Sequence, residues 1–246
     1  MFFSLISAFS PASGHRGPLA QPSLDNSRAY IVKLAVALFL LAAGLFPAPA
    51  AAEPALAAAT AGGKTILAFG DSLTAGYGLK DKNDALPAQL QALLQMQGLP
   101  VTVINAGVSG ETTAGGLRRL EWTLNRHNPD YVILALGGND MLRAIDPASS
   151  YQNLQKMLDI LRAHQKPVLL AGMRAPASMG EGFSKAYDTM YAGLAKQYGA
   201  VFYPFILDGV AANPALNLRD GVHPNPQGVA VMARGLYPYV IELLKK

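Results

Sequence analysis

The strongest constraint on the fold is a repeated alternation of short, almost wholly apolar runs with longer stretches of helical periodicity. Segments 65–70 (Thr-Ile-Leu-Ala-Phe-Gly), 101–106, 131–137, 167–172 and 200–205 suit strands buried on both faces of a parallel sheet better than strands with one wet face. Between them, 86–98 carries Leu90, Leu93 and Leu94 at helical spacing, and 149–165 carries Leu154, Met157, Leu158 and Leu161. Segment 183–198 places Phe183, Tyr187, Met190, Tyr191, Leu194 and Tyr198 on one stripe, which reads as a helix face packed on a sheet rather than an aromatic binding surface. Strands separated by helices of this length imply crossover connections. The expected fold class is therefore α/β, a three-layer α/β/α sandwich with a central, mostly parallel five-stranded sheet. Ligands of such sheets sit outside the carboxyl ends of the strands, so chemistry is expected in the loops that follow each run.

The chain of 246 residues shows no internal repeat and no second composition zone, and one domain is expected over 63–246. Ahead of it, an uncharged apolar run of 13 residues (34–46) follows Lys33, breaks at Pro47 and Pro49 and passes into Ala50-Ala51-Ala52. These are the parts of a secretory signal peptide, and the run is too short for the ~20 residues that span a bilayer. The expected organisation is a signal peptide with a long prelude over 1–52, cleaved near Ala52, and a flexible mature N-terminus over 53–62. That organisation implies a periplasmic or secreted protein with no stable membrane anchor after cleavage. The absence of Cys removes a disulfide framework, a Cys nucleophile, a thiolate zinc site and a lipidated Cys. Net charge is +4, and leaving out Arg16, Arg28, Lys33 and Asp25 of the leader lowers it to +2, too small a surplus for nucleic acid as a partner. Oligomeric state is not legible.

Two blocks at the ends of the chain carry the chemistry. The first run passes directly into Gly70-Asp71-Ser72-Leu73-Thr74-Ala75-Gly76-Tyr77-Gly78, which puts a Ser just past a strand end in a Gly-flanked turn that opens a helix. A helix cap explains that Ser as well, and the phosphate-loop patterns are absent. A Ser nucleophile needs an imidazole to take its proton and an acid to orient the imidazole. His127 and His164 lie at expected helix C-termini, where the dipole favours a solvated imidazole. His223 instead stands three residues after Asp220 in a Gly/Pro turn, Asp220-Gly221-Val222-His223-Pro224-Asn225. Taken alone, Asp-x-x-His is open to metal binding or turn chemistry as well.

Together with Asn105-Ala106-Gly107-Val108-Ser109-Gly110-Glu111-Thr112 and Leu136-Gly137-Gly138-Asn139-Asp140, these blocks resemble the four-block signature of the SGNH, or GDSL, hydrolase superfamily. The likeness runs over about 63–246 and is strongest to its arylesterase and thioesterase I/lysophospholipase branch. The resemblance implies an SGNH/flavodoxin-like fold and a serine esterase with no cofactor and no metal. It implies Ser72 as nucleophile, His223 as base and then acid, and Asp220 as the residue that orients it. It implies an oxyanion hole made of the Ser72 and Gly107 backbone N–H groups and the Asn139 side chain. At Gly107 a side chain is expected to obstruct the substrate carbonyl. Asp71 and Asp140 read as turn and cap residues.

Apolar residues in the loops after the third and fourth runs, Met141, Leu142, Ile145, Met173, Ala175 and Pro176, are expected to line an acyl groove. The expected substrate is a small-molecule or lipid ester: aryl esters and thioesters of short to medium acyl chains, with lysophospholipid among the envelope esters. The alternatives are a carbohydrate or other envelope O-deacetylase of the same fold, and a phosphoesterase holding a metal on Asp71, Asp220 and His223.

Overall fold

A computed structural model describes residues 63–246. The expected signal peptide over 1–52 and tail over 53–62 lie outside the described residues. Strands β1 (Lys64–Gly70), β2 (Val101–Gly107), β3 (Tyr131–Ala135), β4 (Val168–Ala171) and β5 (Val201–Tyr203) form one sheet in the order β2-β1-β3-β4-β5. Every neighbouring pair is parallel. The helices are α1 (Ser72–Ala75), α2 (Leu86–Met96), α3 (Thr113–His127), α4 (Gly138–Leu142), α5 (Pro147–Ala163), α6 (Glu181–Tyr198) and α7 (Pro226–Leu243). Helices α2 and α7 pack together as one outer layer, and α3, α5 and α6 form the other.

Burial follows the apolar runs. Ile66, Leu67 and Phe69 of β1, Val132 and Leu134 of β3, and Leu169 and Leu170 of β4 are fully buried. Strand β2 departs from the expected burial on both faces, because it is an edge strand: Thr102 and Ile104 are half-buried and Asn105 is exposed. Side chains cover part of that edge, with the Val103 N–H donating to Gln91 at 2.8 Å and the Gly107 N–H to Asn105 at 3.0 Å. Blocked donors of this kind discourage pairing with a further strand.

Helix boundaries follow local chemistry. Thr112, Asp146 and Asn225 cap α3, α5 and α7 with their side chains, and Pro147 and Pro226 stand first in α5 and α7. The segment expected as a strand over 131–137 pairs only to Ala135, since Gly137 turns left-handed (φ 117°) to start α4. The aromatic stripe of α6 packs into the core, as expected for a helix face, and also supports this turn. The Tyr191 hydroxyl donates to the Leu136 carbonyl at 2.9 Å and that of Tyr187 to the Gly137 carbonyl at 3.4 Å. Burial pushes the Tyr187 hydroxyl up to about 12 and raises that of Tyr191 well above its ordinary range, so both remain donors.

The sheet positions the chemistry. From β1 the chain adds β2 on one side and then β3 on the other, so the loops after β1 and β3 part at a topological switch point, where ligands of open α/β sheets bind. Asp140 fastens the β3 loop to both of its neighbouring helices. Its buried carboxylate accepts from the Thr113 N–H (2.8 Å), the Thr113 hydroxyl (2.6 Å) and the Ser150 hydroxyl (3.1 Å). It is thus a tie between α3, α4 and α5 more than a cap. Asp140→Ala orphans these donors and is expected to destabilise the fold by about 2–4 kcal/mol in urea unfolding, since each buried unpaired donor costs roughly 1–3 kcal/mol. A change below about 0.5 kcal/mol, the ordinary range for a surface substitution, contradicts this role.

Candidate active site

Strand β1 ends at Gly70, and Asp71 caps the short helix behind it by accepting from the Leu73 N–H at 3.0 Å. Ser72 is therefore the first residue of α1, 8% exposed at the sheet edge. The residue that meets it comes from a loop closed as a small antiparallel bridge between Asn217 and Pro224, with the Leu218 N–H donating to the His223 carbonyl at 2.7 Å. Within that loop one carboxylate oxygen of Asp220 accepts the N–H groups of His223 and Val222, both at 2.9 Å, and the other lies 2.7 Å from His223 Nδ1. His223 Nε2 stands 2.9 Å from Ser72 Oγ, across 151 residues of sequence. The two backbone N–H groups, His223 first, and then the imidazole contact hold the Asp220 carboxyl down to about 2. An ionised carboxylate at Nδ1 fixes the proton there, which leaves Nε2 to accept from the Ser72 hydroxyl. Both ring nitrogens thus face protein groups, and among the described residues no three His, Asp or Glu side chains gather as they would to hold a metal ion.

The structure corrects the expectation for Gly107. Its N–H is taken by Asn105, and it does not line the cavity at Ser72. A Cβ at 107 would lie 2.3 Å from the Ala75 nitrogen and 2.8 Å from the Asp71 carbonyl. Glycine is needed there because α1 packs directly against the end of β2, not to clear a path for substrate. Gly110, three residues on with φ +79°, lines the cavity instead, and among the described residues its N–H makes no hydrogen bond. The sequence signal was present, since Gly110 stands in the same block. Asn139 does line the cavity, and its amide nitrogen donates to the Glu111 carbonyl at 3.0 Å and to the Asp71 carboxylate at 3.3 Å.

Around Ser72 and His223 opens a cavity of about 280 Å³. Met141, Leu142 and Met173 line it, joined by Tyr77, Leu207 and Val222, which the sequence reading did not single out. Ile145, Ala175 and Pro176 do not line it. After Leu142 the chain turns at Ala144 (φ 50°), and the Ile145 N–H returns to the Asp140 carbonyl at 2.9 Å, which takes the side chain away from the cavity. Ala175 is buried in the core, and the Pro176 carbonyl accepts from the Ser184 hydroxyl at 2.9 Å, which draws that stretch toward α6.

The family model described as GDSL-like lipase/acylhydrolase matches residues 68–231. Among similar proteins is the esterase TesA of Pseudomonas aeruginosa, 36% identical over 184 residues that cover 75% of this chain and 91% of that protein. Another is thioesterase 1/protease 1/lysophospholipase L1 of Escherichia coli K12, 37% identical over 180 residues, or 72% and 85% of the two chains. The crystal structure of AlinE4, an SGNH-hydrolase family esterase, matches with a TM-score of 0.63 and 43% identity over 74% of this chain and 97% of that one. The chain belongs to the GDSL-like lipase/acylhydrolase family. It is a carboxylic-ester hydrolase of the SGNH type, with the α/β fold of that family.

One further group of this hydrolase differs from the sequence reading, and a second, the cap residue Asp71, carries an unusual charge state. His127 is not simply solvated: its Nδ1 is buried with no partner among the described residues, and burial, then the neighbouring Arg126, lowers its basicity. Asp71 is 3% exposed, and burial pushes its carboxyl up to about 6 against the pull of the Leu73 N–H, His223 and Asn139. A raised carboxyl favours the protonated form in the folded state, so Asp71 costs stability as pH rises from about 4 through 6. Asp71→Asn keeps the cap acceptor without the charge. The variant is expected to gain on wild type between pH 4 and pH 8 by on the order of 3 kcal/mol, taking 1.36 kcal/mol per unit of pKa. Equal stability differences at the two pH values, measured by chemical unfolding, contradict this reading.

Proposed function

We propose that Ser72, His223 and Asp220 hydrolyse carboxylic esters and thioesters of short to medium acyl chains through an acyl-enzyme. The observation that carries this reading is the unbroken run of contacts Asp220–His223–Ser72, at 2.7 and 2.9 Å, opening into an apolar cavity. As Ser72 Oγ bonds to the acyl carbon, its proton passes to His223 Nε2. The bond to the leaving oxygen or sulfur then breaks as the same proton is handed to that atom, releasing an alcohol or thiol. Water attacks the acyl-enzyme with its proton taken by His223, which returns it to Ser72 Oγ as the bond between Oγ and the acyl carbon breaks, so the carboxylic acid leaves and free Ser72 is restored. Asp220 holds the ring in the required tautomer and stabilises the imidazolium.

Charge on the tetrahedral oxygen is met by the Ser72 N–H, the Gly110 N–H and the Asn139 amide, with the long Asn139 contact to Asp71 yielding to the oxyanion. A cavity of about 280 Å³ lined by Met141, Leu142, Met173 and Leu207 supports a modest acyl chain over a sugar, which needs several polar partners. The relative named as a thioesterase and lysophospholipase supports thioesters and lysophospholipid within the same reading. A periplasmic or secreted address would put envelope esters within reach.

The test is hydrolysis of p-nitrophenyl esters from acetate to palmitate. Ser72→Ala is expected to lower turnover by on the order of a thousandfold or more, and Asn139→Ala by ~10²–10³. Rates are expected to peak at short or medium chains. Wild-type turnover in Ser72→Ala contradicts the mechanism, and a maximum at palmitate contradicts the acyl range.

A further inference from the structure

Tyr77 is 52% exposed, an unusual state for a large aromatic side chain whose backbone is so closely held. Its N–H and that of Gly76 both donate to the Ser72 carbonyl at 3.1 Å, tying the turn to the nucleophile. The flanking glycines are both left-handed, with φ +82° at Gly76 and +75° at Gly78. A Cβ would meet Ala85 Cβ at 2.7 Å from position 76 and Leu218 Cδ1 at 2.6 Å from position 78. The turn is thereby pressed against the start of α2 on one side and the loop of Asp220 and His223 on the other. Its ring lines the cavity with its centroid 4.5 Å from that of His223, and the hydroxyl makes no hydrogen bond among the described residues. Core packing does not explain a side chain left half in water at this position.

Resting on the serine-esterase reading above, the leaving-group oxygen must come within ~3 Å of His223 Nε2 to receive its proton. A ring attached to that oxygen therefore begins beside the imidazole, where Tyr77 presents its aromatic surface. We propose that Tyr77 is the specificity-determining residue for the leaving group, a platform on which planar aromatic alcohols such as phenols stack as they depart. Offset or edge-on aromatic contacts add attraction beyond buried area, which an alkyl alcohol does not receive.

The test compares kcat/KM for phenyl butyrate and ethyl butyrate, which share an acyl group and differ only in what leaves. Removal of one aromatic contact changes the phenyl-to-ethyl ratio by about two- to tenfold. In Tyr77→Ala the ratio is expected to fall within that range relative to wild type, and in Tyr77→Phe to remain within about twofold of wild type, since the ring is kept. An unchanged ratio in Tyr77→Ala overturns the proposal, as does a parallel loss on both esters, which would make Tyr77 a support for His223. Ser72→Ala assayed on the same pair separates the two levels. Hydrolysis that survives there breaks the serine mechanism, whereas an unchanged ratio in Tyr77→Ala breaks only the assignment of Tyr77.

Discussion

The catalytic edge of this hydrolase depends on one guanidinium. Arg119, on α3, donates to the Gly70 carbonyl at 3.2 Å and the Ala106 carbonyl at 2.9 Å, at the ends of β1 and β2. It also forms a bidentate pair with the largely buried Glu111, and stands 3.8 Å over the Phe69 ring. Arginine suits this place because its planar fork serves carbonyls and a carboxylate at once and its flat face tolerates an aromatic neighbour. Glu111 in turn offers its backbone carbonyl to the Asn139 amide, so a single side chain ties together three of the four sequence blocks. A buried ion pair of this kind stabilises little by itself, but loss of either partner would leave a charge beneath the site.

The fourth block arrives by a different logic. The Asp220 loop is held by its own bridge and by Asn217, whose amide donates to the Val210 and Asn213 carbonyls at 2.8 Å each. Asn225 then caps α7 while its amide donates to the Ala215 carbonyl at 2.8 Å, joining the loop to a helix packed across the sheet. His223 is thus presented to Ser72 from a rigid frame. In the proposed mechanism that rigidity is what keeps the donors and the imidazole in place before substrate arrives, which is where preorganised sites gain most of their advantage.

Much of this was legible in the sequence, because buried parallel strands are apolar runs and the loops after them carry unusual residue types. The five strands and helices α2, α5 and α6 stand within a few residues of their expected bounds. Helix α3 was harder to read, because Gly115 and Gly116 weaken its periodicity and only the stop at Asn128 is clear. The block around Gly107 shows a different limit. Two glycines three residues apart look equivalent in sequence, yet one is required by helix packing and the other turns toward the cavity. Residues that line the cavity from loops with no motif, such as Leu207 and Val222, leave no periodic trace at all. Arg119 was missed for the related reason that two of its partners are backbone carbonyls, which carry no sequence signature, and the third, Glu111, lies eight residues away outside its helix.

The most direct test of the proposed mechanism is covalent trapping with a p-nitrophenyl alkylphosphonate, which transfers its phosphonyl group to an activated serine as p-nitrophenolate leaves. Intact-mass and peptide mapping should find one phosphonyl group on Ser72 in the wild type, slow labelling in His223→Ala and none in Ser72→Ala. Labelling at another residue, or equal labelling of Ser72→Ala, would contradict Ser72 as the nucleophile and with it the account of the site.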